Sequence, residues 1–221
     1  LYQIASENSF VVQWMLSQGD LMIGTSLDEW IASAPEGAPI SPANLTFRRQ
    51  SANGSDYRAA VLVRETVIFG QRNSTALSRL TYRENGRYGA SDISILASHL
   101  FTSGIHQMAW QAQPTSVLWL VMRNGNLVGL TYEEDQNVFA CHEHITDGLF
   151  KSVAVIHGPL GDEVWCLVQR GTAMRIERMD PQTMEAGASG TIAARRCFVD
   201  AAVLRETVDA SAVLTGLGHL E

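Results

Sequence analysis

The densest group of side chains capable of chemistry is His142-Glu143-His144. On a β-strand, residues i and i+2 point to the same side, so the two imidazoles could share a metal ion, with Asp147 or His157 as a third ligand. The plainer reading is that these polar groups finish a strand and meet water or turn amides before Thr146-Asp147-Gly148. That reading is adopted. No metal and no cofactor are expected, and His142 and His144 stand as the candidates if a metal binds.

Glu133-Glu134-Asp135 sets three carboxylates in a row, a pattern compatible with Ca²⁺ binding or acid–base work. Adjacent side chains on a turn diverge, however, so a solvated hairpin tip is expected. A hydrolase would need two convergent acids roughly 5 to 10 Å apart. Asp92, Asp147 and Asp162 are the candidates, and nothing in their spacing brings them together. The sequence contains no phosphate-cradling glycine loop, no G-x-S-x-G elbow and no C-x-x-C pair. No catalytic residues are therefore assigned, and a non-enzymatic role is expected.

Arg48-Arg49 enters a flexible-looking loop at Ser51-Ala52-Asn53-Gly54-Ser55, and solvation is its default role. Subunit contact is the alternative, because the arginine fork pairs well with carboxylates at interfaces. Cys141, Cys166 and Cys197 are far apart and odd in number, with apolar neighbours such as Trp165 and Phe198. They read as reduced core cysteines, which fits folding in a bacterial cytoplasm.

The elements that must position these residues are short strands. Runs beginning at Leu21, Val67, Val117 and Val164 recur about 46 to 50 residues apart, the spacing of propeller blades. Each leads into a hairpin partner, at residues 28–33, 76–82, 127–132 and 174–179. Asn124-Gly125 predicts a type I′ turn. With Met108-Ala109-Trp110 before it and residues 137–142 after it, the third unit has the four strands of one blade. The fold class expected is all-β, with β-propeller-like repeated antiparallel sheets; a β-sandwich of evenly spaced meanders is the alternative. Trp14, Trp30, Trp110, Trp119 and Trp165 recur unit by unit, as core packing would place them.

One segment breaks the pattern. Residues 91–100 predict a short amphipathic helix with Asp92 as N-cap and Ile93, Leu96, Ala97 and Leu100 on its apolar face. Residues 34–42 read as a Pro-rich surface loop, and residues 180–190 as a loosening before a further module. The expected organisation is a propeller-like domain over residues 1–190 and the start of a second β-rich module over 191–221.

Bulk properties narrow the function. The 221 residues carry a net charge of −7, without a cluster of Lys and Arg to grip phosphates. An acidic wall past which DNA slides is compatible with that charge. No apolar run is long enough for a membrane span, so a soluble chain without membrane insertion is expected. Its two ends read as cut from a longer protein.

Several blocks resemble a family of bacteriophage and prophage structural proteins: residues 92–101, 111–119, 129–133, 142–148, 152–156 and 216–221, in that order. The resemblance runs from about Leu16 to the C-terminus. One departure is Cys141, where the family usually has an aromatic before its His-x-His segment. The family comprises tail nozzle, tail tubular and packaged-DNA stabilisation-like proteins, in which propellers form a ring around the DNA channel. The resemblance implies a virion tail component that assembles with itself and with other tail proteins and lets packaged DNA pass without sequence-specific binding. It implies no catalytic residue. The alternative is a glycan-binding or polysaccharide-degrading tail module.

Overall fold

A computed structural model describes residues 9–35, 38–58, 60–83, 87–159 and 161–179. Its strands form four antiparallel sheets, each a meander in which chain neighbours pair. The first contains β1 (Val12–Gln18), β2 (Asp20–Thr25), β3 (Glu29–Ser33) and β4 (Thr46–Ser51). The second contains β5 (Val61–Val63), β6 (Thr66–Gly70), β7 (Leu77–Arg83) and β8 (Arg87–Asp92). The third contains β9 (Ile105–Gln111), β10 (Val117–Met122), β11 (Leu127–Glu133) and β12 (Val138–His144). The fourth has three described strands, β13 (Leu149–Gly158), β14 (Gly161–Arg170) and β15 (Ala173–Arg178). The chain is mainly β, as its alternating pattern predicts.

The four apolar runs are β2, β6, β10 and β14, the second strand of each sheet. In β6 and β10 this continuity has a physical cause, clearest in β10, where all six residues are buried. Leu118, Leu120 and Met122 point into a core shared with Ile68 and Leu77 of the second sheet. Val117, Trp119 and Val121 point the other way, against Phe150, Val164, Cys166 and Val168 of the fourth. Likewise Val67 and Phe69 pack on Trp14, Met22 and Ile31 of the first sheet, while Ile68 faces the third. A strand covered on both faces has no polar side, so it reads as an unbroken apolar run. The sheets therefore stack face to face in chain order, with each Val, Leu or Ile buried contributing roughly 1.5–3 kcal/mol.

Two local expectations need correction. At Asn124-Gly125 only the glycine has positive φ, +92°. Gly125 N–H donates to the Met122 carbonyl at 2.9 Å, giving a type I turn closed by a left-handed glycine rather than a type I′ turn. The predicted amphipathic helix is a 3₁₀ segment, Ile95–Phe101, broken at Ala97. Asp92 does not cap it; its Oδ1 accepts from the Ser94 N–H and hydroxyl, making a tight turn that delays the helix. Leu96 is 93% exposed, whereas Phe101 takes the buried place. Among the described residues no helix is long and apolar enough to cross a membrane.

The sheets are joined by a recurring device at one end of the stack. Gly54, Gly104 and Gly148 each stand just ahead of the next sheet with positive φ. Arg72 and Arg123, in the central hairpins of the second and third sheets, donate their N–H groups to the Gly54 and Gly104 carbonyls at 3.1 and 2.9 Å. In the fourth sheet the Arg170 guanidinium reaches the Asp147 carbonyl at 2.7 Å, beside Gly148. Side chains would not fit: a Cβ at Gly54 would lie 2.7 Å from the Ser26 carbonyl, and one at Gly148 2.6 Å from that of Gln169. The expected boundary near residue 191, the loosening at 180–190, the module at 191–221 and Cys197 all lie outside the described residues.

Candidate functional site

β12 is an edge strand of the third sheet, paired with β11 so that His142 lies opposite Gly129 and His144 opposite Leu127. Gly129 in turn pairs with Trp119, so indole, glycine and imidazole form a row across three strands. Gly129 makes this possible. A Cβ there would stand 2.1 Å from Cε1 of His142, so the ring occupies space that any other residue would fill. The Trp119 ring centroid lies 5.8 Å from that of His142 and 5.2 Å from that of His144. The Trp119 Nε1–H donates to Gln111 Oε1 at 2.8 Å, which fixes the indole. His142 Nδ1 and His144 Nε2 are 2.8 Å apart, close enough for one N–H to donate to the other nitrogen.

The suggested third ligands are elsewhere. Asp147 is in the connection before β13, and His157 pairs with Asp162 at 2.5 Å, near the opposite end of the stack. Among the described residues no three His, Cys, Asp or Glu side chains gather around one point. Nor do Asp92, Asp147 and Asp162 share an element: they sit at the end of β8, in the β12–β13 connection and in β14. A shallow groove beside Asp92 is lined by Arg79, Ile93, Leu96 and Phe139.

The acidic triplet does more than meet solvent. Glu133 accepts from Arg64 Nη2 at 2.9 Å, while Glu134 accepts from Arg79 Nη1 at 3.1 Å and from the Thr66 hydroxyl at 3.1 Å. The hairpin tip diverges as expected but is tied to the second sheet. Arg48 and Arg49 lie within β4 rather than at the mouth of a loop, and Arg49 reaches Asp28 at 3.6 Å. The segment after them is held in place by Glu29. Cys166 is buried and Cys141 half-buried, and burial pushes their thiols up to about 12 and about 11.

Three acids are buried polar centres of the stack: Asp162, which the sequence offers only as a candidate catalytic acid, and Asp56 and Glu29, which it does not single out. Asp162 Oδ2 accepts the Ala112 and Gln113 N–H groups at 2.7 and 3.1 Å, joining the fourth sheet to the third. Burial pushes its carboxyl up, but His157 and the two amides outweigh this and hold it below the usual range. Asp56 accepts from the Ser74 hydroxyl, Arg58 Nη1 and the Tyr57 N–H. Glu29, fully buried, accepts from the Ser51 and Ser55 hydroxyls. Burial raises its carboxyl, and those hydroxyls with the Asn53 amide offset only part of the rise.

No known protein family matches the chain, and no curated protein is similar to it. The site must therefore be read from its own chemistry.

Glu29 yields a signed prediction. A carboxyl raised on folding favours the protonated form, so its stability contribution is full below the unfolded value of 4.5 and is lost as pH rises through the folded value. Glu29→Gln keeps an oxygen acceptor and removes the buried charge. It is expected to leave stability at pH 7 unchanged or slightly raised, by less than about 1 kcal/mol, because one desolvated charge is exchanged for one neutral amide. Thermal melts at pH 4 and pH 7 check this, and a large loss at pH 7 would contradict it.

Proposed function

We propose that the chain is a non-enzymatic structural component of a phage tail or head-to-tail connector, its four sheets serving as successive blades of a β-propeller. The observation that carries this reading is the serial stack. Each internal sheet is covered on both faces by its chain neighbours, which makes a rigid body built by repetition. The spacing of the repeats points the same way.

In this reading the protein works through its surfaces. Copies associate as a ring around the DNA channel and contact other tail proteins, and the net charge of −7 lets packaged DNA pass without adhering. Association is supported by apolar side chains on the outer face of the fourth sheet, where Ile156, Met174 and Ile176 are 54, 55 and 75% exposed. The protein would fold in the bacterial cytoplasm and end in the virion tail.

Mass spectrometry of purified virions, with immunogold labelling, tests the location. The expected result is label at the tail in every particle. Its absence from particles, with the protein free in the lysate, would overturn the proposal.

A further inference from the structure

We draw no further inference here: the strongest candidate, the outer face of the fourth sheet with its exposed Ile156, Met174 and Ile176, carries nothing beyond the association already proposed, because nothing among the described residues shows what covers it.

Discussion

Trp119→Ala is expected to destabilise the protein by about 3–5 kcal/mol, the range for truncating a large aromatic in a packed core. The indole is 6% exposed and lies between the third and fourth sheets, among Val121, Phe150 and Val168. Removing it opens a cavity that the flanking strands cannot close, because each is held in register by its ladder. It also leaves Oε1 of Gln111, itself only 7% exposed, without its Nε1–H donor. An unpaired buried acceptor adds about 1–3 kcal/mol, so the upper part of the range is expected. Urea denaturation measures the loss. Hydrogen exchange should quicken most in β13 and β14, whose inner face Trp119 covers. A loss under about 1 kcal/mol would mean that this core does not join the two sheets.

Asp56→Ala is the second large effect. This carboxylate, 7% exposed, lies in the connection between the first and second sheets and meets Ser74 in the central hairpin of the second. Arg123, from the central hairpin of the third, approaches to 4.0 Å. The central hairpins of two sheets thus converge on one acid of the connection before them. Its removal leaves the Arg58 guanidinium, 12% exposed, with the His106 carbonyl but no counter-charge. Breaking a buried pair from one side typically costs about 3–5 kcal/mol; about 3 is expected here because Arg123 is nearly half exposed.

The same acid has a pH signature. Burial pushes the Asp56 carboxyl up, but Ser74, Arg58 and the Tyr57 amide outweigh it and hold it below its ordinary 3.8. A depressed carboxyl contributes stability that is present above the unfolded value and is lost as pH falls through the folded one. Asp162 behaves in the same sense and Glu29 in the opposite one. In Asp56→Ala, stability should therefore fall less steeply below pH 4 than in the parent. Melts from pH 2 to pH 7 check this, and parallel curves would contradict it.

The strands were legible because of where they are buried. β6 and β10 are enclosed on both faces, so their central positions are all apolar and the run stands out without any partner being known. The acidic tip at residues 133–135 was legible as a turn, but its ties to Arg64, Thr66 and Arg79 were not, since those residues lie in another sheet. Asp56 gave no local signal for the same reason, and Asp162 gave none of its structural role. Asp162 is defined by the backbone amides of Ala112 and Gln113, some 50 residues away in sequence.

The glycine–arginine joint was hidden for a different reason. Its members are separated by 18, 19 and 22 residues (54 to 72, 104 to 123, 148 to 170), so no fixed period reveals it. Leu96 misled by its type: it falls at helical spacing, but the Asp92–Ser94 turn shifts the segment and turns Leu96 to solvent. At the histidines, i and i+2 placed both rings on one face of β12, as strand geometry requires. What spacing could not give was Gly129, whose missing side chain lets His142 lie flat enough to reach His144.

The measurement that bears most directly on the proposed tail role is electron microscopy of the protein in purified phage particles or in its own assemblies. The account predicts a ring or tube of copies around an acidic channel, with the four sheets of each copy appearing as adjacent blades. A peripheral monomer, or a subunit in which these sheets do not stack in chain order, would contradict it.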